Sequence, residues 1–194
     1  MEMNFCSNCG HSLAHGIPPG DDRERYFCKS CGYVAYQNPR MVVGALPEYD
    51  GRILMCRRAI EPCYGLWTLP AGYLENGETV TAGAIRETRE EACADIANLS
   101  AYALYSIPHI SQIYLIFRAE LTSEAFASGA ESLEVKLFEA HAIPWDELAF
   151  RAIIATLRCY VGDLAGGEFK FHVGEIGPPL SPPICKAGGL DFKP

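Results

Sequence analysis

Three glutamates, at positions 87, 90 and 91, constrain this chain more than any other feature. They lie within residues 79–94, whose Ala, Glu and Arg content favours a helix. Spacings of three and four residues place Glu87, Glu90 and Glu91 on one helix face, where their charges repel one another. The side expected to face the core is small or apolar: Val80, Ala84, Ile85, Thr88 and Ala92. We therefore expect the acids to line an edge of the helix.

A hard divalent cation would remove the repulsion among the three carboxylates. Mg²⁺ prefers oxygen ligands and binds through carboxylates together with substrate phosphates. The alternative is an ordinary charged surface helix. The glycine-rich loop before the helix, with Gly72 and Glu78 spaced ahead of the acids, favours the cation site.

Residues 72–94 resemble the Nudix box, G-x5-E-x7-R-E-U-x-E-E-x-G-U, in which U is apolar. The matching positions are Gly72, Glu78, Arg86, Glu87, Glu90 and Glu91. Thr88 and Ala94 replace large aliphatic residues, and Cys93 replaces a glycine. The cysteine predicts a helix end that needs no positive φ.

The resemblance implies an α/β fold, the Nudix αβα sandwich with a mixed sheet, over residues 39–175. A small zinc ribbon at 1–38 would precede it, and a Pro/Gly-rich tail at 176–194 would follow. The patterns along the chain agree with helices covering a sheet. Strands are predicted at 41–46, 52–56, 101–107, 112–121, 134–139 and 169–173, and helices at 79–94 and 149–164. Residues 57–77 read as a long functional loop.

The resemblance also implies a reaction, which is hydrolysis of a nucleoside diphosphate linked to a further group. Glutamates matching Glu87, Glu90 and Glu91 bind Mg²⁺ or Mn²⁺ in that family, with a backbone carbonyl near Ala71 or Gly72. The residues matching Arg86 and Glu78 orient the loop and these acids. The cation would stabilise the developing charge and lower the pKa of a bound water.

The general base is not fixed by the box, and two glutamates are candidates for it. Residues 131–138 (ESLEVKLF) resemble an E-x-x-E-x-x-x-F segment that closes such sites. Glu134 is the preferred base and Glu131 the second candidate. The alternative for Glu134 is a solvated loop acid.

The first 31 residues contain two CxxC pairs separated by 18 residues, formed by Cys6, Cys9, Cys28 and Cys31. Two such turns can wrap one ion in a tetrahedron of four thiolates, which leaves no open position. The spacing therefore predicts a structural Zn²⁺ site. Redox motifs or disulfides are the alternatives.

The formal net charge of −8 argues against a nucleic-acid partner, because such proteins usually present a basic face. No run of about 18 apolar residues is present, so no membrane span is expected. Residues 1–13 lack a basic region followed by an apolar stretch, so we expect a cytoplasmic location. Nudix domains are often dimers, which makes a homodimer one expected state.

Two branches of the family differ in the substrate that they imply. Residues 36–40 (YQNPR) resemble the junction after the ribbon in NADH pyrophosphatases, but residues 106–112 (SIPHISQ) lack the SQPWPFP-type motif of those enzymes. Residues 66–74 (LWTLPAGYL) and 169–172 (FKFH) resemble a branch that includes plant FAD and ADP-ribose pyrophosphatases. FAD or ADP-ribose, cleaved to release AMP, is therefore expected ahead of NADH.

Aromatic side chains near the box could stack on an adenine or flavin ring. Tyr64 and Tyr73 are the candidates, with Gly72 beside them, whereas Trp67 is expected to pack in the core. A non-catalytic zinc-ribbon and Nudix binding module is the alternative of a different class. Release of a mononucleotide from a dinucleotide with Mg²⁺ would separate an enzyme from such a module.

Overall fold

The chain divides into two units after Asn38, and the computed structural model describes residues 3–178. In the first unit the strands β1 (Ala14–Gly16), β2 (Arg25–Phe27) and β3 (Val34–Ala35) form an antiparallel sheet. A sheet this small buries too little apolar surface to be stable without a further constraint. Most of the tail expected at 176–194 lies outside the described residues.

The second unit is built on one mixed sheet. Its strands are β4 (Arg40–Tyr49), β5 (Arg52–Arg58), β6 (Trp67–Thr68), β7 (Ala71–Tyr73), β8 (Ile96–Ile107), β9 (Gln112–Leu121), β10 (Ser132–Glu139) and β11 (His172–Glu175). The main order is β10-β5-β4-β9-β8-β11, while β6 pairs with β5 and β7 pairs with β4. The pairs β4–β9 and β8–β11 are parallel and the others are antiparallel.

Two helices, α1 (Val80–Ala92) and α2 (Arg151–Gly166), cover opposite faces of this sheet. Successive side chains of β5 point to opposite faces of the sheet and enter different cores. Leu54 lies in the core on the α1 side, and Met55 lies in the core on the α2 side. The predicted αβα sandwich with a mixed sheet is confirmed. Within residues 3–178, no helix is long and apolar enough to cross a membrane.

The predicted loop at 57–77 is partly wrong, because it contains β6 and β7. Each is only two or three residues long, which is too short for an alternation of apolar and polar residues to be visible in the sequence. The final strand begins at His172 and not at 169. β7 matters most, because its pairing with β4 carries Ala71 and Gly72 to the middle of the sheet.

The two ends of α1 are capped in different ways, and one of them corrects a prediction. Thr79 caps the first turn, since its Oγ1 accepts a hydrogen bond from the Ala82 N–H at 3.1 Å. At the other end Cys93 is left-handed, with φ of 47°, so the prediction that this position needs no positive φ is wrong. The cysteine fills the glycine's role, donating its N–H to the Arg89 carbonyl. A non-glycine residue in this region costs about 1–2 kcal/mol.

The loop between β9 and β10 closes over the C-terminal end of α1. The N–H of Ala127 donates to the Ala92 carbonyl at 2.9 Å, and the N–H of Gly129 donates to the Glu91 carbonyl at 3.0 Å. A Cβ on Gly129 would overlap the backbone of Glu90, so only glycine permits this approach. The loop thereby holds the start of β10 against the acidic helix.

We expect Gly129→Ala to destabilise the second unit by about 1–3 kcal/mol, because the loop must move away from the end of α1. Gly162→Ala is the matched control. No atom lies within 4 Å of a Cβ at that position of α2, and alanine is the better helix former by about 0.5–1 kcal/mol. Thermal unfolding should therefore move in opposite directions in the two variants. Equal stability of Gly129→Ala and the unaltered chain would contradict the loop's docking role.

Candidate active site

Arg86, in the middle of α1, gathers the acids of the box around one guanidinium group. Its Nε and Nη2 donate to the two carboxylate oxygens of Glu78 at 3.1 and 2.8 Å. Its Nη1 donates to Glu87 at 2.6 Å and to Glu90 at 3.0 Å, and Nη2 also donates to the Tyr73 carbonyl at 3.0 Å. All five N–H donors of the side chain are thus used. One residue fixes the helix, the preceding loop and β7 together.

Glu78 closes the loop that leads into α1. Its Oε1 accepts a hydrogen bond from the Glu75 N–H at 2.7 Å in addition to the bidentate pair with Arg86. The hydrogen bonds from Arg86, followed by that from Glu75, hold the pKa of Glu78 below its usual value. Gly83 lies against this carboxylate and against Val43, and a Cβ there would come within 2.9 Å of Glu78 Oε1. Glu78 is therefore held as an ionised anchor.

Glu87 and Glu91 lie deeper than the predicted helix edge, with 8% and 6% of their surface exposed. Burial raises the pKa of Glu91 to about 8, and the nearby charge of Glu87 adds to this rise. Burial also raises the pKa of Glu87, against the opposing effect of Arg86. Glu91 receives one backbone hydrogen bond, from the Ala71 N–H at 3.3 Å. Two buried carboxylates so close together are unfavourable unless a cation joins them.

Glycines let the backbone of β7 approach these acids. A Cβ on Gly72 would overlap the carboxylate of Glu87, so the glycine of the box is required by close contact and not by a positive φ. On the neighbouring strand, a Cβ on Gly44 would overlap the side chain of Ala71. The pairing of Gly44 with Ala71 therefore sets the distance from β7 to the helix.

The donor set suits a hard divalent cation. Glu87 and Glu91 offer buried carboxylate oxygens beside the backbone of Ala71, and Glu90 is exposed at the rim, paired with Arg86. No sulfur or imidazole ligand is part of this group, which favours Mg²⁺ or Mn²⁺ over softer metals. The residues at this site thus fit the cation that the box implies.

The two candidate bases lie in different surroundings. Glu134 pairs with Arg57, with Oε2 and Nη1 3.9 Å apart, and its side chain is half exposed. Glu131 instead raises the pKa of both Glu87 and Glu91 by its charge, although burial is the larger cause for each. Its carbonyl accepts a hydrogen bond from the Ala59 N–H at 2.8 Å. Glu131 is therefore the acid whose charge reaches the buried carboxylates.

Of the predicted aromatic contacts, only Tyr73 lies beside the box. Its hydroxyl accepts a hydrogen bond from Gln112 Nε2 at 2.8 Å, and the Arg40 guanidinium stacks 5.0 Å from its ring centre. Tyr64 is exposed, and within the described residues no hydrogen bond or ring contact links it to the carboxylates. Trp67 is buried and packs edge-on against Phe138 with ring centres 4.8 Å apart, as expected of a core residue.

Sequence reasoning missed Arg58, at the end of β5. It is 8% exposed and is the one buried cation of residues 3–178. Its charge acts on the pKa of Glu91, which places it near the acids. The available signal was a basic residue at the end of an apolar strand. The neighbouring Arg57 shows the same signal, yet its side chain is 40% exposed.

In the first unit, the sulfur atoms of Cys6, Cys9, Cys28 and Cys31 all lie within 4.8 Å of one another. The shortest separations are 3.5 Å for Cys9–Cys28 and 3.7 Å for Cys6–Cys31. A tetrahedral zinc with bonds of about 2.3 Å needs sulfur separations of about 3.8 Å. Each pair sits in a turn that ends in a left-handed glycine, Gly10 or Gly32. Four unbonded thiols in this arrangement fit one closed metal site.

Comparison with known families gives two matches in the order that the structure shows. The Nudix N-terminal zinc-ribbon family matches residues 4–37, and the NUDIX domain family matches residues 38–157. A crystal structure of a NUDIX hydrolase from Nitrosomonas europaea has 48% sequence identity and a TM-score of 0.87. That match covers 91% of this chain and 100% of the other. Nudix resemblance is thus found in sequence and in structure.

Two curated relatives carry more specific names. An ADP-ribose pyrophosphatase from Methanocaldococcus jannaschii is 30% identical over 124 residues, covering 61% of this chain and 71% of the relative. An NAD-capped RNA hydrolase NudC from Pseudomonas aeruginosa is 30% identical over 146 residues, covering 72% of this chain. The match spans about half, 49%, of that hydrolase. The NUDIX model matches residues 38–157, which is more than half of the chain, and the ribbon model matches residues 4–37. The chain therefore belongs to the Nudix family of pyrophosphohydrolases.

Proposed function

We propose that this protein hydrolyses the diphosphate of an adenosine diphosphate conjugate, with ADP-ribose or FAD ahead of NADH, and releases AMP. The observation that carries the proposal is the buried pair Glu87 and Glu91, held between Arg86 and the backbone of Ala71. Within the described residues Arg86 pairs with Glu87 and not with Glu91, so the buried Glu91 carboxylate gains a cationic partner only when a metal ion binds. A diphosphate is the ligand class that such a cation recruits.

In this proposal Glu87, Glu90, Glu91 and the backbone at Ala71 hold Mg²⁺ or Mn²⁺. The cation, when bound, supplies positive charge to the diphosphate and lowers the pKa of a bound water. Arg86 and Glu78 act by position, because the guanidinium sets the side chains of Glu87 and Glu90 and ties them to the loop. Each acid is then in place before the substrate arrives.

We assign the proton acceptor to Glu131, with Glu134 as the alternative. The support is that Glu131 interacts by charge with both Glu87 and Glu91, whereas Glu134 pairs with Arg57. Gly72 and Tyr73 form the nearby substrate wall, and Tyr64 stays a weaker candidate because it lies apart.

The substrate assignment draws on the sequence and on the relatives together. The Methanocaldococcus jannaschii relative is named an ADP-ribose pyrophosphatase, and the SQPWPFP-type motif of NADH pyrophosphatases is missing here. The NAD-capped RNA hydrolases support NADH or a capped RNA as the second candidate. Against RNA stands the net charge of −8, which disfavours a long polyanion.

We further propose that residues 1–38 form the zinc-binding unit, 39–175 the catalytic unit and 176–194 a tail. The four clustered thiols support the first assignment, and the carboxylate site supports the second. A homodimer and a cytoplasmic location stay predictions from the sequence.

One series of carboxylate-to-amide variants tests the acid assignments. Glu87→Gln and Glu91→Gln should lower Mg²⁺-dependent turnover by about 100-fold or more, because each removes a ligand charge. The melting temperature of Glu91→Gln in EDTA should stay equal or rise, because no cationic side chain pairs with this buried carboxylate. Glu131→Gln should also lose turnover, while Glu134→Gln, half exposed, is the matched control. Collapse of Glu134→Gln alone would reverse the assignment of the base.

Metal analysis tests the ribbon. Protein purified without added metal should contain one zinc per chain, and Cys28→Ser with Cys31→Ser should remove it. Since four thiolates close the site, loss of zinc should lower stability more than turnover per folded molecule. Cys93→Ser, at an exposed thiol outside the cluster, should keep the zinc. Zinc retained after the double change would refute the site.

Steady-state kinetics on ADP-ribose, FAD, NADH and a nucleoside triphosphate test the substrate. We expect the highest kcat/KM for ADP-ribose or FAD, with AMP as a product in both cases. A tenfold preference for NADH or the triphosphate, about 1.4 kcal/mol in transition-state binding, would overturn the choice. Absence of turnover on all four with Mg²⁺ and Mn²⁺ would favour the binding-module alternative.

A further inference from the structure

Arg58 is the buried cation at the end of β5, and its side chain is fixed on two sides. Its Nε donates to the Pro62 carbonyl at 2.8 Å. Its guanidinium lies over the ring of Phe150, 5.0 Å from the ring centre. A stacked and hydrogen-bonded guanidinium is pre-organised, so little conformational entropy is lost when its other nitrogens bind a ligand.

The outer nitrogens of Arg58 have no protein acceptor in the described part of the chain. No carboxylate lies within 4.0 Å of the group, although Glu91 is near enough to interact by charge. Arg86 is the opposite case, because all five of its donors are used. The two arginines therefore differ in what they can do, since Arg86 is saturated and Arg58 has both Nη atoms available.

The strand register places Arg58 beside the acidic helix. Arg58 pairs with Ser132 of β10. The Ser132 N–H donates to the Gly129 carbonyl at 3.2 Å, and the Gly129 N–H donates to the Glu91 carbonyl at 3.0 Å. Arg58 therefore lies next to the loop that closes over the end of α1 that carries Glu91.

A buried and unpaired guanidinium is unfavourable unless an anion meets it. In residues 3–178 no carboxylate forms an ion pair with Arg58. An anionic ligand that reaches its two Nη atoms would supply the missing charge.

We infer that Arg58 binds the diphosphate of the substrate on the side away from the carboxylates, through its two Nη atoms. This inference rests on the proposed function, because it needs a diphosphate to bind beside the carboxylates. The planar edge of a guanidinium matches two oxygens of a phosphate, while Phe150 covers one of its faces. Arg58 is therefore a binding residue that touches the substrate, and it aligns the diphosphate opposite the cation.

The experiment compares Arg58→Met with Arg57→Met. Methionine keeps an apolar stem against Phe150 and removes the charge, and Arg57 is the adjacent, exposed arginine of the same strand. Calorimetry with Mg²⁺ would measure binding of two non-hydrolysable probes, methylenediphosphonate and the α,β-methylene analogue of ADP-ribose. We expect Arg58→Met to weaken both by about 10- to 100-fold, as expected for hydrogen bonds to a charged group, and Arg57→Met to change neither by more than about threefold.

A structural role for Arg58 predicts a different result. In that case Arg58→Met would lower the melting temperature of the ligand-free protein while leaving the affinity of the folded fraction intact. We expect a melting temperature within about 4 °C of the unaltered chain, because the group that is removed is an unpaired charge. Arg58→Lys, which keeps the charge and loses the planar fork, should bind both probes with intermediate affinity.

The two probes separate this inference from the proposed substrate. The unaltered chain could bind methylenediphosphonate but not the ADP-ribose analogue, and Arg58→Met could lose that binding. This result would support the role of Arg58 and overturn the proposed substrate. Unaltered affinity of Arg58→Met for both probes would overturn the inference while leaving the substrate standing. Failure of the unaltered chain to bind either probe would overturn both.

Discussion

The guanidinium of Arg86 is the interaction on which the rest of the site depends. It is the only side chain in the described residues that bonds to Glu78, Glu87 and Glu90 together, and it also holds the carbonyl of Tyr73. Without this guanidinium the carboxylates of Glu78, Glu87 and Glu90 would repel one another and move apart. With it, α1, the loop before it and β7 become one rigid body. Turnover at the site would then depend on a residue that need not touch the substrate.

Close backbone contacts are the second constraint, and they explain the glycines better than turn geometry does. Gly72, Gly83 and Gly129 have ordinary negative φ, yet each faces an atom that a Cβ would overlap. Their neighbours are Glu87, Glu78 and the end of α1. Glycine at these positions brings charged groups and helix ends nearer to the sheet than any other residue allows. The charge arrangement of the site is therefore produced by backbone packing.

Positive and negative charge are distributed unequally within this acidic protein, and the distribution fits an anionic substrate. Arg86 neutralises Glu78, Glu87 and Glu90, whereas the buried Glu91 has no cationic partner and Arg58 has no anionic one in the described residues. A bound cation would pair with the buried carboxylates, and a diphosphate would pair with Arg58. The net charge of −8 is then no obstacle, since the local charge around Arg58 and a bound cation would differ from that of the whole surface.

The sequence alone determined the features that depend on local spacing. The acids at i, i+3 and i+4 and the two CxxC turns follow from the geometry of a helix or a tight turn, and they were predicted correctly as local structure. The tertiary structure decided the features that depend on distant pairing. A bulge between Ser132 and Glu134 in β10 shifts the register, and a one-residue shift reverses which side chains face the helix. Spacing could therefore not separate Glu131 from Glu134, nor the buried Arg58 from the exposed Arg57, because the surroundings of each residue are set by strands and loops far away in the chain.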